Sequence, residues 1–385
     1  MNISQKASSF AEESHGSVDH REGELVRAYG SHALAFFGLA PENARFLAPG
    51  AAGLISYRVV NNAAVVLGDP ICAPEARKRV MQAFLDFCAR HHWRVVVYQA
   101  SSEMLATASV LKLHIFKMGE EAILNPQIFT LSGSAMANVR TSCRRAERDG
   151  VTLQWYEETP PPEMMVQLRH VSDAWLTQKS GKQTSERGFC MGRLDELSVA
   201  VERANSIADL PACPHDTQEA GAGVPKLITE VALTHAGTAC AFVTFTPTYG
   251  WSLSQAIGPD GASAPQIQGG WTLDLMRRTP DAPPCIMELL LVRAIERLRS
   301  YGASRVSLGM VALADTEQQM LPLQRRLMHF ASDHLGLLTS RHSLFRFKQK
   351  FHPEWESRYL MSPRLISLRQ YLAIFRLRNG TEDGS

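Results

Sequence analysis

The sequence feature that most constrains the fold is an order of predicted elements that occurs twice along the chain. Each half begins with an antiparallel meander of strands and continues as helix, strand, helix, strand, although no sequence identity between the halves is visible. This repetition indicates two copies of one α+β unit of about 150 residues. The length of 385 residues agrees, because it exceeds what one hydrophobic core usually serves.

Local patterns place the elements of the first half. Two apolar runs flank Asn61-Asn62, which predicts a β-hairpin with a two-residue turn. Apolar residues at helical spacing predict a helix over 74–91, and the near-continuous apolar run at 93–100 predicts a buried strand. A second helix is predicted over 102–111, and two short strands at 113–119 and 121–125.

The second half has its own set of predicted elements. A helix over about 135–149 is followed by Gly150, a natural stop for a helix. The next elements are a strand from 151, a helix from Pro160 to Gln178, a loop over 205–224 and meander strands at 226–235, 237–247 and 250–258. An irregular insertion over 258–270, an amphipathic helix over 284–301 and a strand at 305–310 complete the set.

These patterns predict four segments. Residues 1–22 are expected to be a flexible leader, residues 23–150 the first unit, and residues 151–362 the second unit. Residues 363–385 are expected to form a C-terminal helix and a polar tail. Leu372, Ile374 and Phe375 would belong to a last packing helix, with an interfacial membrane helix as the alternative.

Composition excludes several classes of protein. The 40 Lys+Arg against 38 Asp+Glu and the 45% apolar content argue against disorder and against a binder that is basic throughout, but they permit a local basic face. No apolar run of about 18 residues occurs, and the N-terminus lacks the apolar core of a secretory signal. Seven scattered cysteines without C-x-x-C predict a reducing compartment and no zinc site. We therefore expect a cytoplasmic protein.

Familiar catalytic signatures are missing from the sequence. It contains no G-x-S-x-G, Walker A, H-E-x-x-H or G-x-G-x-x-G motif. A pyrophosphate loop of the acetyl-CoA-binding kind is also missing, which counts against a coenzyme A donor. The sequence therefore predicts neither a bound cofactor nor a metal site.

Three charged residues are candidates for chemistry. Asp274 and Arg277 are three residues apart and would share one face if their segment were helical. A carboxylate beside a guanidinium suits an ammonium and an oxyanion or phosphate, and the alternative is a surface ion pair. Glu288, near the start of the predicted helix over 284–301, is either a further site acid or an acid favoured by the helix dipole.

Two basic segments are candidates for contact with polyanions. Basic and aromatic residues alternate over 344–359, so that Arg346, Lys348 and Lys350 would share one face of a strand, whereas a helix would separate them less well. Cations interleaved with aromatics suit phosphate contact and stacking, and the alternative is a solvated face over a phenylalanine-rich core. The helix over 135–149 contributes Arg140, Arg144, Arg145 and Arg148.

An ordered set of segments resembles a known family. The segments are AVVLGDPI (64–71), 116–123, 130–134, 187–193, 274–277, 286–288, 307–310 and 346–355. Together they resemble the cytosolic catalytic domain of the aminoacyl-phosphatidylglycerol synthases, the multiple peptide resistance factors, over about residues 25–362. The resemblance implies an α+β fold of two tandem acetyltransferase-like (GNAT) domains with mixed sheets flanked by helices. It also implies transfer of an amino acid, lysine or alanine, from aminoacyl-tRNA to the hydroxyl of phosphatidylglycerol or a similar lipid.

The resemblance also implies that the second unit, residues 151–362, carries the catalytic site, and it implies roles for individual residues. Asp274 would bind the amino group or hydroxyl, Arg277 would bind lipid phosphate or an oxyanion, and Glu288 would be a second acid in the same pocket. Arg346 and Lys348 would hold phosphate or the tRNA terminus. The basic helix with Arg140, Arg144 and Arg145 would contact the lipid head group or tRNA. No cofactor is implied, because aminoacyl-tRNA is the co-substrate.

Family members usually carry many transmembrane helices before this domain, and the sequence has none. We therefore expect either a free-standing soluble synthase or one that relies on a separate membrane flippase subunit, with peripheral contact with the inner face of the membrane in both cases. Antimicrobial peptide resistance is the associated process. Two alternatives remain: another GNAT-type acyl- or aminoacyltransferase acting on a peptide or small amine, and a non-catalytic regulator that binds lipid or RNA.

Overall fold

The structure is a computed structural model that describes residues 12–14, 18–180, 189–211, 223–250, 269–312 and 337–366, with residues 370, 374 and 377. Its strands are β1 (Glu12–Ser14), β2 (Ala44–Leu47), β3 (Gly53–Val60), β4 (Ala63–Leu67), β5 (Ile71–Cys72), β6 (Arg94–Ala100), β7 (His114–Leu124), β8 (Thr152–Tyr156), β9 (Ile228–Leu233), β10 (Ala239–Thr248), β11 (Gly270–Arg278), β12 (Val306–Ala312) and β13 (Glu354–Ser362). Its α-helices are α1 (His20–Tyr29), α2 (Ala35–Gly38), α3 (Arg77–Arg90), α4 (Met104–Val110), α5 (Ala137–Arg148), α6 (Pro162–Ser180), α7 (Leu197–Ala208), α8 (Ile286–Ser300) and α9 (Leu337–Gln349).

All of these strands belong to one mixed sheet. The order across it is β1-β2-β3-β4-β6-β13-β7-β12-β11-β10-β9-β8, and β5 pairs with β3 at the side. Two neighbouring pairs are parallel, β4 with β6 and β11 with β12, and the other pairs are antiparallel. Each parallel pair is joined through a helix, α3 in the first half and α8 in the second. The α+β prediction with a mixed sheet is therefore confirmed.

The last strand of each half pairs with a strand of the other half. Strand β7, which ends the first half, pairs with β12, and β13, which ends the second half, pairs with β6. The two exchanged strands also pair with each other in the middle of the sheet. Each half therefore needs a strand from the other to complete its sheet. The proposed unit boundary near residue 150 remains a prediction.

Helices cover both faces of the sheet. We call the face packed under α1, α2, α6 and α7 the front face, and the face packed under α3, α4, α5 and α8 the back face. Side chains alternate between the faces along each strand, so that on β10 Phe242 joins the front core and Val243 the back core. Phe347 of α9 and Phe351 after it pack into the back core.

Several local predictions are confirmed. Asn61 and Asn62 form the turn between β3 and β4 and have positive φ angles of 51° and 59°, which asparagine tolerates and a two-residue hairpin turn requires. Gly150 follows α5 with a φ of 78°, as expected for a residue that ends a helix. The helices α3, α4, α5, α6 and α8 and the strands β6 and β12 lie where the periodicity predicts them.

Other local predictions are wrong. The two short strands expected over 113–125 are one strand, β7, because its central position allows continuous pairing with β13. Helix α7 continues to Ala208, so the first residues of the loop expected over 205–224 are helical. The segment with Asp274 is a strand rather than a helix, and the basic aromatic segment is helix α9 followed by β13. Most of the leader expected over 1–22, most of the meander strand expected at 250–258, and Leu372 and Phe375 lie outside the described residues.

A buried polar cluster joins the exchanged strands. Glu121 of β7 and Arg358 of β13 form an ion pair, although they are only 2% and 5% exposed. Ser307 of β12 donates a hydrogen bond to Glu121. Arg305 donates two hydrogen bonds to Glu356, of 2.5 and 2.7 Å, and Arg358 donates one of 3.0 Å to the same residue. Burial acts to raise the pKa of Glu121, but Arg358, Arg305 and Ser307 together hold it below its ordinary value.

We expect Arg358→Met to lower the free energy of unfolding by about 3–5 kcal/mol at pH 7, because it leaves the Glu121 carboxylate buried without its partner. A carboxyl whose pKa is lowered by folding stabilises the protein above its unfolded pKa, and this contribution is lost as pH falls. The deficit of the variant should therefore shrink when pH falls below the ordinary carboxyl range. Chemical denaturation at pH 7 and at acidic pH measures both effects.

Two further variants separate the lost ion pair from the lost arginine. Arg94→Met removes an exposed arginine from β6 and should change the free energy of unfolding by no more than about 0.5 kcal/mol. Adding Glu121→Gln to Arg358→Met should restore part of the lost stability, because no buried charge is then left unpaired. Equal deficits in the single and double variants would show that the ion pair is unimportant.

Candidate functional site

Strand β11 presents Asp274 and Arg277 on the same face of the sheet. Residues three apart in a regular strand point to opposite faces. Here the register with β10 shifts, because Val243 pairs with Met276 whereas Phe245 pairs with Leu273. Two residues of β11, Asp274 and Leu275, therefore oppose the single residue Thr244, and this β-bulge changes the alternation. Asp274 and Arg277 therefore share the front face, as predicted, but they do so on a bulged strand and not on the helix that their spacing suggested.

Core packing supports this assignment of faces. Leu273 and Met276 pack into the back core. Leu275 packs into the front core, under α6 and α7. Arg277 also contacts α6, because its side chain donates a hydrogen bond to the hydroxyl of Ser172.

Asp274 is held by a backbone amide from the loop that precedes α7. The amide of Gly192 donates a hydrogen bond of 2.7 Å to its Oδ1 atom. A Cβ atom built at Gly192 would lie 2.2 Å from Oδ2, so a larger residue there would displace the carboxylate. The hydroxyl of Thr244 lies 3.5 Å from Oδ2 and accepts a hydrogen bond of 3.0 Å from the amide of Leu275. The bulge and the glycine loop thus orient the carboxylate together.

Asp274 lines a front-face cleft between α2, α7 and β11. Apolar groups from Phe36, Phe37 and Phe189 form part of its wall. Three carboxylates and two guanidinium groups also line it, from Glu42, Glu196, Asp274, Arg193 and Arg203. Arg193 forms ion pairs with Glu196 and, at 3.9 Å, with Glu42. The excess of carboxylates suits a ligand with a positively charged amino group.

Arg277 is a buried cation with fixed partners. It is 4% exposed, it donates a hydrogen bond to Ser172 of α6, and its guanidinium lies 5.5 Å from the centre of the Trp175 ring. A guanidinium over an indole ring is held by cation–π attraction. The positive charge of Arg277 is therefore fixed in position before any ligand binds.

Lys348 lies where β11 and β12 separate. These parallel strands pair at Trp271 with Val306 and at Thr272 with Ser307, and no further pair is found along their described lengths. Gly309, with a φ of 83°, lies just beyond this point. The Lys348 ammonium donates a hydrogen bond of 2.9 Å to the Gly309 carbonyl. A Cβ atom at Gly309 would lie 3.5 Å from this ammonium and 3.9 Å from the carbonyl of Leu273, so the ammonium is next to the opening between the strands.

The environment of Lys348 makes its amine a weak base for a lysine. Burial lowers its pKa to about 8, and the charge of Glu121 opposes this shift in part. The side chain is only 4% exposed. A lysine with a pKa close to neutral pH can take up and release a proton under working conditions, as general acid–base catalysis requires.

Glu288 does not join Asp274 in the structure. It lies in the first turn of α8, on the back face, where it is 6% exposed and accepts a hydrogen bond of 2.7 Å from Lys350. The structure therefore places the predicted second acid on the other side of the sheet from the front-face cleft. Its role in a reaction remains a prediction.

The other predicted basic residues lie in separate places. Arg346 is exposed on α9 although Lys348, two residues later, is buried, because a helix turns their side chains in different directions. Arg140 donates hydrogen bonds to the carbonyls of Leu131 and Gly133 and so fixes the loop before α5. Arg144 and Arg145 are exposed on that helix and are accessible to a polyanion.

Several site residues were missed by the sequence analysis. Gly192 was included in the resemblance but received no role, although its amide orients Asp274. Ser172 and Trp175 were hidden in an ordinary helix pattern, and only their packing against β11 connects them with Arg277. Glu121 and Ser307 are also distant in sequence from the residues that they support. The glycine was the one signal in the sequence that could have indicated a close approach.

Comparison with known families identifies the chain. The sequence model for the C-terminal region of phosphatidylglycerol lysyltransferase matches residues 23–205 and 261–362. The chain belongs to this family. Within the described part of this family member, no helix has the length and apolar character needed to cross a bilayer.

Two curated relatives illustrate the similarity. The lysylphosphatidylglycerol biosynthesis bifunctional protein LysX of Mycolicibacterium gilvum is 28% identical over 346 residues, which cover 87% of this chain and 27% of the relative. The phosphatidylglycerol lysyltransferase of Staphylococcus epidermidis is 24% identical over 345 residues, which cover 89% of this chain and 36% of the relative. The chain thus spans between about a quarter and just over a third of the length of these relatives.

Two solved structures share the fold. The C-terminal domain of a putative lysylphosphatidylglycerol synthetase from Agrobacterium fabrum has a TM-score of 0.71 at 23% identity, covering 95% of this chain and 98% of that one. The structure titled L-PGS from Bacillus licheniformis has a TM-score of 0.68 at 25% identity, with the same coverage. The family resemblance stated from the sequence is confirmed.

We expect Lys348→Met to stabilise the protein at pH 7 by up to about 3 kcal/mol, because it removes a buried ammonium whose pKa is lowered to about 8. Between this pKa and the ordinary lysine value the folded wild type binds fewer protons than the unfolded chain, so its stability rises with pH. The gain of the variant should therefore disappear by about pH 10.5. Urea denaturation at pH 7 and pH 10 checks the sign.

A matched control is Lys78→Met, which removes an exposed lysine from α3. It should change the free energy of unfolding by no more than about 0.5 kcal/mol. Destabilisation of Lys348→Met at pH 7 would mean that the hydrogen bond to Gly309 outweighs the cost of burying the charge.

Proposed function

We propose that this chain transfers an amino acid to the hydroxyl of phosphatidylglycerol or a similar lipid, with lysine as the first donor amino acid to test and alanine as the second. The observation that carries this proposal is the family match over most of the chain. The site is compatible with it, because Asp274, Arg277 and Lys348 lie around one bulged strand and the opening beside it. Asp274 and Arg277 share the front face, and the Lys348 ammonium is at the opening.

Aminoacyl-tRNA is the donor that we propose. Its amino acid is already joined to ribose as an ester, so the transfer needs no ATP. One ester bond, from the aminoacyl carbonyl carbon to the ribose oxygen, breaks. A new ester bond forms from that carbon to the lipid hydroxyl oxygen, and the hydroxyl proton ends on the ribose oxygen. The enzyme must align the two oxygens and stabilise the oxyanion that forms between these steps.

Asp274 is assigned to the α-ammonium of the aminoacyl group. Its carboxylate is oriented by the Gly192 amide, and the cleft around it carries more carboxylates than guanidinium groups. A hydrogen-bonded ion pair at this point would place the ester carbonyl relative to the strand. The fixed carboxylate thus serves orientation rather than proton transfer.

Arg277 is assigned to stabilisation of negative charge, and Lys348 is assigned to proton transfer. Arg277 supplies a preorganised positive charge for the oxyanion or the lipid phosphate, since Ser172 and Trp175 already fix its side chain. Lys348, with a pKa of about 8, takes the proton from the lipid hydroxyl and returns it to the leaving ribose oxygen. The sequence predicted that Lys348 holds phosphate or the tRNA terminus, and the role proposed here keeps it next to the terminal ribose of the tRNA.

Exposed arginines are assigned to polyanion contact. Arg346 on α9 and Arg144 and Arg145 on α5 are accessible to the tRNA backbone or to anionic lipid head groups. Peripheral contact with the inner face of the membrane and a separate flippase subunit remain parts of this proposal.

A transfer assay tests the function. The purified chain is incubated with phosphatidylglycerol liposomes and with tRNA charged with labelled lysine or, separately, alanine, and the lipid is then extracted. We expect label in the lipid fraction that disappears after treatment of the charged tRNA with RNase. Label on a peptide or small amine instead of lipid would support the alternative acyltransferase. Absence of any transfer by folded protein would contradict the proposal.

We expect Gly192→Ala and Asp274→Asn each to lower kcat/KM of this transfer by roughly 10- to 100-fold, the range expected when a charge-assisted hydrogen bond worth about 1.5–3 kcal/mol is lost. The first variant moves the carboxylate because the new Cβ atom would lie 2.2 Å from Oδ2. The second keeps the shape but removes the charge.

The matched control for the glycine variant is Gly223→Ala, because a Cβ atom at Gly223 meets no other atom within 4 Å. It should keep kcat/KM within about threefold of the wild type. Wild-type activity in Gly192→Ala would exclude the oriented carboxylate as a binding group.

A further inference from the structure

A second cavity lies on the back face, at the edge of the sheet formed by β8. Its volume is about 540 Å³, which is within the range of about 300–1,000 Å³ typical of small-molecule sites. Strands β8 and β9 and helices α5 and α8 provide its lining. Its lining residues are Glu147, Val151, Leu153, Gln154, Trp155, Glu230, Leu289, Arg293, Glu296 and Arg297.

Glu230 of β9 contributes a buried carboxyl to this cavity. The residue is 4% exposed, and its Oε2 atom is buried without a hydrogen-bond partner among the residues that the structure describes. Burial raises the pKa of Glu230 to about 8, although Arg297 and Arg293 oppose the shift. A buried polar atom without a partner is costly, so a ligand that supplies one would be favoured.

The other charged groups of the cavity already have partners. Arg293 of α8 forms ion pairs with Glu147 of α5 and, at 2.6 Å, with Glu296. Arg297 lies 4.8 Å from the centre of the Trp155 ring and 3.4 Å from the Tyr301 hydroxyl. Once Glu230 is ionised, the lining has three carboxylates against two guanidinium groups. This balance favours a cationic ligand over an anionic one.

We propose that this cavity binds a small primary amine, with the ammonium on the Glu230 carboxylate and the apolar stem against Val151, Leu153 and Leu289. The site is separate from the front-face cleft that contains Asp274, because it lies on the opposite face of the sheet. At neutral pH the protonated carboxyl gives its proton to the buffer when the ammonium arrives. Binding therefore converts a neutral buried acid into one half of an ion pair.

Calorimetric titration with n-butylammonium chloride tests the proposal. At pH 7, titration in two buffers with different ionisation enthalpies should show release of about one proton for each amine bound, since a carboxyl with a pKa of about 8 is mostly protonated there. At pH 9 this carboxyl is mostly ionised and the amine is still charged. The dissociation constant should therefore be about tenfold lower, or more, at pH 9 than at pH 6.5.

Two probes of similar size test the requirement for charge. Pentanoate and 1-butanol keep the butyl stem and replace the ammonium by a carboxylate or a hydroxyl. We expect both to bind at least tenfold more weakly than n-butylammonium at pH 9. Equal binding of either probe, or amine binding at pH 7 without proton release, would overturn the proposal.

Three variants test whether the amine binds, and the proton is released, at Glu230 in this cavity. Glu230→Gln should abolish proton release and weaken amine binding at pH 9 at least tenfold. Leu153→Trp should weaken binding by filling the cavity while the carboxyl remains. The matched control Glu163→Gln, at an exposed position in the first turn of α6, should bind the amine like the wild type. Circular dichroism confirms that each variant is folded, and unchanged binding by Glu230→Gln would contradict the assignment.

The amine could come from a free diamine or from an amino acid. Cadaverine and lysinamide carry the same aminopentyl stem, so their dissociation constants at pH 7 distinguish these sources. Tighter binding of cadaverine would assign the cavity to a diamine, and tighter binding of lysinamide to an amino acid derivative. Because these titrations need neither tRNA nor lipid, their failure is distinguishable from failure of the transfer assay.

Discussion

The exchange of the final strands is the constraint on which the rest of the structure depends. Because β7 and β13 each complete the sheet of the other half, the chain forms one continuous sheet rather than two separable ones. The buried ion pair of Glu121 and Arg358 lies between these two strands, where its desolvation cost is offset by a hydrogen bond from Ser307 to Glu121 and by the nearby charge of Arg305. A polar contact of this kind favours one register over others, since a shifted strand would leave both charges unpaired.

The same centre is connected to the candidate site. Ser307, which donates to Glu121, accepts a hydrogen bond of 3.0 Å from the amide of Gly309, and the Gly309 carbonyl accepts one from Lys348. The position of the lysine at the opening between β11 and β12 thus depends on the exchanged strands. The same packing buries the ammonium and so lowers its pKa, and the charge of the nearby Glu121 opposes this shift only in part.

Sequence patterns predicted much of the fold because many of its signals are local. The asparagine pair turned the chain between β3 and β4, and helical spacing located α3, α5 and α8. Patterns failed where partners from distant parts of the chain decided the outcome. Paired with β13 on one side and β12 on the other, β7 became a single long strand, and the segment of Asp274 became the bulged strand β11 rather than a helix. Periodicity within a short segment carries no information about such partners.

The sequence by itself determined the family, the α+β class and the identity of Asp274, Arg277 and Lys348 as candidates, since these follow from ordered motifs and residue types. The tertiary structure decided which of them lie together. A one-residue bulge placed Asp274 and Arg277 on one face, α8 placed Glu288 on the other, and a helical turn separated buried Lys348 from exposed Arg346. The cavity beside Glu230 was likewise decided by packing, because only β8, β9, α5 and α8 together enclose it. The physical reason is that the sheet face on which a side chain lies, its burial and its pKa depend on neighbours that are distant in the chain.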